Sequence, residues 1–281
     1  MTNRVCCYYQ TFCGLDELIK EPSIMNTIIV SSIHFGNNDG KPYIHLNDLT
    51  PDNKAFNQVW EETKTLSKCG VQIMLMMGGA GGAYEELFSN YDVYYTMLRD
   101  TIKSYKWITG IDLDIEEGVS VPNIQMLIRD INRDFGDNFT ITMAPLSSSL
   151  MFDSPGMGGF IYKDLYNSPE GKFITRFNVQ AYGSYSYETF KAMVDNGYPP
   201  EKLVLGMLSG QFNSNTFKQA LAEISKIKSV YPNMGGVFDW EYFDSPPDKN
   251  PAGWAEAMSE IFKQGIIHSI FNYISKFFSK K

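Results

Sequence analysis

The sequence predicts one α/β domain folded as a closed (β/α)8 barrel, the TIM-barrel architecture. Short β-branched or apolar runs alternate with longer helical patterns along the chain, which is typical of parallel βα units. Eight such runs fit within about 250 residues, and this number favours a closed barrel over an open doubly wound sheet. No composition break, repeat or linker divides the 281 residues.

Eight runs are predicted to be the barrel strands: Val5–Gln10, Thr27–His34, Val71–Met77, Gly110–Glu116, Phe139–Ala144, Arg176–Tyr182, Leu203–Met207 and Gly235–Trp240. The helical patterns between them are Leu15–Lys20, Asn53–Leu66, Tyr84–Lys103, Pro122–Phe135, Tyr187–Asn196 and Thr216–Val230. Pro122 suits a first helical turn. Residues 208 to 234, between the last two strands, have room for one helix and little more, so no α+β insertion domain is expected.

The end of the chain differs from the rest, and we expect two units: residues 1–264 form the hydrolase barrel and residues 265–281 form a C-terminal amphipathic helix. In this tail, isoleucine and phenylalanine recur at helical spacing and are followed by lysines. The residues are Ile266, Ile267, Ile270, Phe271, Ile274, Lys276, Phe277, Phe278, Lys280 and Lys281. Three roles remain open for this helix: packing on the barrel, self-association or contact with a partner, and membrane-surface attachment.

Composition narrows the possible partners. The formal net charge is −8, and Lys and Arg do not cluster before the last few residues, so nucleic-acid binding is excluded and a neutral substrate is favoured. The four cysteines (Cys6, Cys7, Cys13 and Cys69) form no CxxC pair, so neither a metal nor a cofactor is expected. The start lacks signal-peptide features and no apolar run reaches membrane-spanning length. A cytoplasmic protein is expected, or a secreted one if a leader has been removed; membrane insertion is disfavoured.

The fold predicts that functional side chains lie where strands end. Candidates are Tyr8, Tyr9, Gln10, Ser32, His34, Gly78 to Gly82, Asp112 to Glu117, Gln180, Tyr182, Asp239, Trp240 and Glu241. The glycine run lacks the Gly-Lys-Ser/Thr ending of a phosphate loop, so we interpret it as a turn that lines the site.

Acidic and aliphatic residues alternate strictly from Ile111 to Glu116. In a strand this period places Asp112, Asp114 and Glu116 on one face, and the aliphatic face of a barrel strand meets the helices. The three carboxylates are therefore expected to point inward, roughly 6.6 Å apart, where like charges raise each other's pKa. This pattern favours a shared proton and an acid–base site. It is also compatible with a solvated acidic face or a divalent-metal site.

At these residues the chain resembles glycoside hydrolase family 18, the family of chitinases and some endo-β-N-acetylglucosaminidases. The fourth-strand signature D-G-x-D-x-D-x-E is matched from Thr109 to Glu116, with threonine in place of the first aspartate. Three further matches occur in the family's order. Gly78-Gly79 ends the third-strand S-x-G-G, Val179-Gln180-Ala181-Tyr182 matches V-Q-x-Y, and Gly235 to Trp240 matches G-G-V-x-x-W.

The resemblance implies retaining, substrate-assisted hydrolysis, in which the substrate's own acetamido group is the nucleophile. It implies that Glu116 is the proton donor, that Asp114 orients the 2-acetamido group and that Tyr182 donates a hydrogen bond to its carbonyl oxygen. Asp112 completes the implied catalytic set. The predicted sugar-binding residues are Tyr8, His34, Gly79, Met143, Gln180 and Trp240, with Tyr8 reaching the acids from below.

Two positions depart from the family pattern. The serine that opens S-x-G-G is Met76 here, so Asp112 is expected to lack a hydrogen-bond donor and to stay protonated, sharing a proton with Asp114. Gly183 replaces the usual Asn or Asp after Tyr182.

The predicted activity is endo-hydrolysis of β-1,4 linkages between N-acetylglucosamine residues of chitin and chitooligosaccharides. Cleavage of the chitobiose core of N-glycans is an alternative, although Glu117 and Gly118 stand where many glycan-releasing relatives have an aromatic residue. Since a fold does not fix a function, the same barrel is also compatible with a catalytically silent sugar-binding lectin or with an unrelated activity.

Overall fold

The computed structural model describes residues 3–263. The predicted boundary at residue 264 and the predicted helix over 265–281 lie outside this range. The strands are β1 (Arg4–Tyr9), β2 (Thr27–Asn38), β3 (Lys41–Leu46), β4 (Gln72–Gly78), β5 (Ile108–Asp114), β6 (Thr140–Met143), β7 (Ile174–Gln180), β8 (Leu203–Leu208) and β9 (Gly236–Trp240). All except β3 are parallel neighbours in one sheet, which the pairing of β1 with β2 closes into a ring. The predicted (β/α)8 barrel is confirmed.

Strand β3 is the main difference from the predicted strands. It pairs antiparallel with the extended end of β2, from Ile33 opposite Leu46 to Asn38 opposite Lys41. The turn between them contains Asp39 and Gly40, both with positive φ. An Asp-Gly pair favours such a two-residue hairpin turn. The hairpin therefore has a local sequence signal of its own, separate from the pattern of parallel βα units.

The helices follow the predicted alternation with the strands. They are α1 (Asp16–Lys20), α2 (Asn57–Lys68), α3 (Tyr84–Ser89), α4 (Tyr91–Ser104), α5 (Val121–Phe135), α6 (Ser147–Met151), α7 (Tyr162–Tyr166), α8 (Tyr187–Asp195), α9 (Ser214–Val230) and α10 (residues 251–263). The single helix predicted over Tyr84–Lys103 is divided at Asn90, whose backbone is not helical (φ −150, ψ 68). The connection from β8 to β9 contains α9 as its α-helix and no insertion domain, as predicted.

Local sequence explains the sharp ends of α5. The Ser120 side chain accepts a hydrogen bond from the Asn123 backbone N–H, and Pro122 lies in the first turn. At the other end, Gly136 has φ 81, which ends the helix without the steric cost of a side chain. Its apolar face is buried against the barrel.

The apolar core has two layers. The larger layer lies between strands and helices, and a smaller cluster fills the barrel interior with Cys6, Tyr8, Ile29, Met74, Met76, Val204 and Phe238. Consecutive residues Cys6 and Cys7 divide between the two layers, as the alternation predicted. The inner cluster forms the floor on which the polar residues of the barrel lie. Within residues 3–263, no helix has the length and hydrophobicity needed to cross a bilayer.

Candidate active site

The three acids of β5 form a ladder that rises from the barrel interior toward solvent. Asp112 has no exposed surface, Asp114 is 5% exposed, and Glu116, two residues beyond the end of β5, is partly exposed. The intervening aliphatic residues pack in the outer layer. The inward direction predicted from alternation is therefore observed, and only the uppermost acid has substantial access to solvent.

Strand β7 presents a matching ladder of amide donors. Asn178 Nδ2 donates to Asp112 Oδ1 at 2.9 Å. One level higher, Gln180 Nε2 donates to Asp114 Oδ1 at 3.0 Å and lies 3.4 Å from Glu116 Oε1. The Gln180 amide thus joins the upper two acids. Asn178 was not predicted as a site residue, although it alternates with apolar residues as the acids do.

Asp112 has more donors than the sequence suggested. Tyr8 Oη donates to its Oδ2 at 2.7 Å, and Thr142 Oγ1 and Asn178 Nδ2 both donate to its Oδ1. Met76, which replaces the family's serine, lies opposite Asp112 in the β4–β5 register. The expectation that Asp112 lacks donors is wrong, because three side chains from other strands donate to it in place of that serine.

Burial and hydrogen bonding set the charges of the ladder. Burial raises the pKa of Asp112 above its ordinary value, although hydrogen bonds from Thr142 and Tyr8 and the charge of Arg176 oppose the rise. Burial also raises the pKa of Asp114 well above its ordinary value, and the neighbouring charges of Glu116 and Asp112 raise it further. Asp112 has three donors and Asp114 has one. We therefore assign the shared proton to Asp114 and not, as expected, to Asp112.

Two aromatic residues stand above this ladder at the C-terminal end of the barrel. Tyr182 follows β7, and burial together with the charge of Asp114 raises its pKa well above 10. It is therefore a neutral phenol at physiological pH, able to donate a hydrogen bond. Trp240 ends β9, and the centroid of its ring lies 5.3 Å from that of Tyr8. Tyr182 and Trp240 both pack on the inner cluster.

The glycine run forms a turn beside Asp114. Gly78, Gly79, Gly81 and Gly82 have positive φ. The Gly79 N–H donates to the Asp114 backbone carbonyl at 2.9 Å. A Cβ on Gly79 would lie 2.7 Å from Met76 Cε and 3.4 Å from Asp114 Oδ2. Glycine is favoured at position 79 because its φ of 84 lies in the left-handed region, where other residues are strained.

Glu117 holds this turn in place. Its Oε1 accepts hydrogen bonds from the backbone N–H groups of Ala83 and Tyr84, where α3 begins. This contact joins the residue after Glu116 to the end of the glycine turn. The sequence indicates Glu117 only as a departure from an aromatic residue, because nothing in it points to a partner 33 positions away.

His34 holds the same turn from the other side. Its Nδ1 lies 2.6 Å from the Gly82 carbonyl oxygen and its Nε2 lies 2.8 Å from Ser32 Oγ. A carbonyl only accepts, so Nδ1 carries the hydrogen, and burial lowers the pKa of His34, which favours the neutral ring. Both ring nitrogens are thus engaged within the protein. The sugar contact of His34 remains a prediction.

Two predicted sugar-binding residues lie away from the open cleft. Met143 has no exposed surface and packs in the outer layer, so it does not line the cleft. Strand alternation is the reason, since its neighbour Thr142 is the residue that points inward, to Asp112. Tyr8 is 2% exposed and contacts Asp112 from below, which matches the predicted position beneath the acids and leaves it little surface for a sugar.

The thiols and acids do not assemble into a metal site in the part of the chain that the structure describes. Residues 3–263 contain no group of three or more His, Cys, Asp or Glu side chains placed to hold a metal ion. Cys6 and Cys7 are buried free thiols, and Cys13 and Cys69 are exposed free thiols.

Comparison with known proteins gives a consistent set of relatives among solved structures, although no family model and no curated protein sequence matches the chain. A fungal endo-β-N-acetylglucosaminidase from glycosyl hydrolase family 18 superposes with a TM-score of 0.82 and 32% sequence identity, over 93% of this chain and 99% of that one. The chitinase ChiC from Aspergillus fumigatus gives 0.79 and 32%, over 92% and 98%. A GH18 chitinase from Pseudoalteromonas aurantia, 15% identical, shares the fold with a TM-score of 0.71, over 92% and 100%.

Proposed function

Because the chain belongs to glycoside hydrolase family 18 and is therefore a glycoside hydrolase, we propose that it cleaves β-1,4 linkages between N-acetylglucosamine residues within chitooligosaccharides. The observation that carries the proposal is the arrangement of Asp114 and Glu116, two acids linked through one Gln180 amide. The lower acid is buried and favours its proton, and the upper one is open to solvent. Two neighbouring acids need this difference in environment if one is to store a proton while the other exchanges it with the substrate.

Glu116 is the proposed general acid and base. As the exposed member of the ladder, it receives the proton that Asp114 holds and donates this proton to the glycosidic oxygen, while the carbonyl oxygen of the substrate's 2-acetamido group attacks the anomeric carbon. The bond to the leaving sugar breaks and a cyclic oxazolinium forms. The Glu116 carboxylate then removes a proton from water, which attacks the same carbon from the side of the departed sugar, while the bond from that carbon to the acetamido oxygen breaks and the acetamido group is restored. Two inversions give net retention of configuration.

The remaining residues of the site are proposed to hold the acetamido group. Asp114 orients its N–H, and the neutral Tyr182 hydroxyl donates to its carbonyl oxygen as that atom becomes the nucleophile. Trp240 supplies the apolar floor for the same sugar, supported from below by Tyr8. These roles require an N-acetyl group at the cleavage site, which restricts the substrate class.

Endo-cleavage is supported by the short connection between β8 and β9, which leaves the cleft without the wall that an insertion domain would add. A second candidate is cleavage within the chitobiose core of N-glycans, which presents the same linkage. It is favoured by the fungal endo-β-N-acetylglucosaminidase, which matches at the same 32% identity as the Aspergillus chitinase.

One experiment tests the acid and separates the substrates. The purified protein is incubated with a chitooligosaccharide series and, separately, with an N-glycosylated protein, and the anomeric form of the first product is followed by NMR. We expect cleavage with retention, and loss of at least two orders of magnitude in kcat for Glu116→Gln. Glu256→Gln, on an exposed face of α10, is the matched control.

The outcomes discriminate between the classes of function. Equal activity of the wild type and Glu116→Gln would show that another group is the acid. Sugar binding without cleavage of either substrate would establish a lectin. An inverted first product would exclude the substrate-assisted route, since only two successive displacements retain configuration.

A further inference from the structure

Arg176 is a buried charge that the proposed reaction does not use. It lies on the inward face of β7, 3% exposed, below Asn178 and Gln180. Its Nη2 donates to Gln72 Oε1 at 3.3 Å and lies 3.3 Å from Met74 Sδ, while its Nε has no partner. No carboxylate among residues 3–263 forms a salt bridge with it. A buried, unpaired guanidinium is expensive and calls for a compensating charge nearby.

Strand register places Arg176 at the level of Asp112. Arg176 is the Cα partner of Thr142 on β6, and Thr142 is the partner of Asp112 on β5. Two strand spacings therefore separate them, roughly 10 Å along the barrel wall. Asn178 and Thr142, which neighbour Arg176, both donate to Asp112.

Among the titratable groups whose charges act on Arg176, only one is a candidate for its counter-charge. The groups are Arg4, Cys6, Tyr8 and Asp112. Burial raises the pKa of the Cys6 thiol and the Tyr8 phenol, so both are neutral near pH 7, and Arg4 is positive. Asp112 is the only one of these groups that can be negative. It also accepts three hydrogen bonds, which suits the ionised form.

We propose that Arg176 is a positioning residue that acts through Asp112: its buried charge keeps Asp112 ionised and so confines the ladder's mobile proton to Asp114 and Glu116. The inference rests on the proposed hydrolysis, because it assigns a role within the same acid ladder. The charged or titratable groups that bear on Asp112 are Arg176 from β7, Asp114 from its own strand, and four tyrosines whose raised pKa values leave them neutral: Tyr8, Tyr84, Tyr162 and Tyr182.

The first test compares variants that keep or remove the charge. In Arg176→Lys the charge remains, and in Arg176→Gln and Arg176→Met it is lost. Removing a positive charge raises the pKa of nearby carboxylates. We therefore expect the acidic limb of the kcat/KM profile to move to higher pH by about one unit in the neutral variants, the size expected for charges roughly 10 Å apart at an effective dielectric constant of 20. The lysine variant should keep the wild-type profile. Equal profiles in all variants, or a shift as large in Arg176→Lys, would overturn the proposal.

The second test needs no substrate, so it stands even if the proposed hydrolysis is wrong. A double-mutant cycle combines Arg176→Gln with Asp112→Asn and measures thermal unfolding at neutral pH. Each single change leaves a buried charge without its partner. The melting temperature of the double variant should therefore lie several degrees above the value predicted by adding the shifts of the two single variants. If Arg176→Gln alone fails to fold, folding of the double variant supports the pairing. Additive shifts, or a double variant that fails to fold while Arg176→Lys folds, would contradict it.

Discussion

Asp239, a buried acid outside the β5 ladder, predicts an unusual dependence of stability on pH. It lies on β9 between Phe238 and Trp240 and has no exposed surface. Ser245 Oγ donates to its Oδ2, and its Oδ1 has no partner. Burial raises its pKa from 3.8 to about 7, because the hydrogen bond from Ser245 does not offset the loss of hydration. Its proton is therefore held far more tightly in the folded protein than in the unfolded chain.

The size of the effect follows from this shift. A change of about three pKa units corresponds to roughly 4 kcal/mol, at about 1.4 kcal/mol per unit. Since the folded-state pKa is the higher one, this stabilisation is complete below pH 3.8 and is lost progressively until the pH reaches about 7. The asparagine in Asp239→Asn cannot ionise, so the free energy of unfolding of this variant does not show the decrease that Asp239 causes in the wild type as the pH rises.

Urea unfolding at several pH values between 4 and 8 measures the difference directly. Relative to the wild type, Asp239→Asn should gain up to about 4 kcal/mol in free energy of unfolding between pH 4 and pH 8. The other carboxylates affect both proteins alike and cancel in the comparison. Asp48→Asn, at an exposed loop position, is the matched control and should run parallel to the wild type. Parallel curves for Asp239→Asn and the wild type would refute the reasoning.

Substitutions at three further positions test contacts in the barrel and around the site. Tyr8→Phe removes a donor to buried Asp112 and should cost about 1–3 kcal/mol in urea unfolding, with the acidic limb of the activity profile moved to higher pH; unchanged stability and profile would argue against this contact. Glu117→Ala removes the acceptor that holds the glycine turn and should lower kcat, whereas Glu117→Gln keeps a carbonyl acceptor and should recover most of it. Gly206→Ala would place a Cβ 1.8 Å from Phe238 Cζ. It should lower the free energy of unfolding by about 1–3 kcal/mol, as measured by thermal or urea unfolding. A variant as stable as the wild type would show that the Phe238 ring can move aside.

The sequence predicted the direction of a side chain best where the pattern of a single strand determines it. The strict alternation of β5 was sufficient to place Asp112, Asp114 and Glu116 inward, because side-chain direction in a strand depends only on residue parity. The same parity on β7 places Arg176 and Asn178 inward, since they alternate with Phe177 and Val179. On β6, parity favours Thr142 over its neighbour Met143 as the inward residue, in agreement with the structure.

Contacts between distant segments were beyond the reach of the sequence. The partners of Glu117 at Ala83 and Tyr84 lie on another connection, and His34 reaches Gly82 across 48 positions. The division of α3 from α4 at Asn90 and the five-residue helices α6 and α7 are similar cases, since short helices are stabilised by tertiary packing more than by their own propensity.

The acid ladder shows why a sequence motif predicts which residue is the catalytic acid more readily than it predicts which carboxyl group carries the proton. The loss of the family's serine at Met76 suggested an Asp112 without donors, yet the closed barrel brings three donors to it from β1, β6 and β7. A barrel interior receives side chains from every strand, so one missing donor is replaceable by others at the same level. Asp114 lies between two other acids and has a single donor, so the proton is held there. The identity of the acid depends on the sequence of β5 alone, whereas the position of the proton depends on side chains from four strands, β1, β5, β6 and β7.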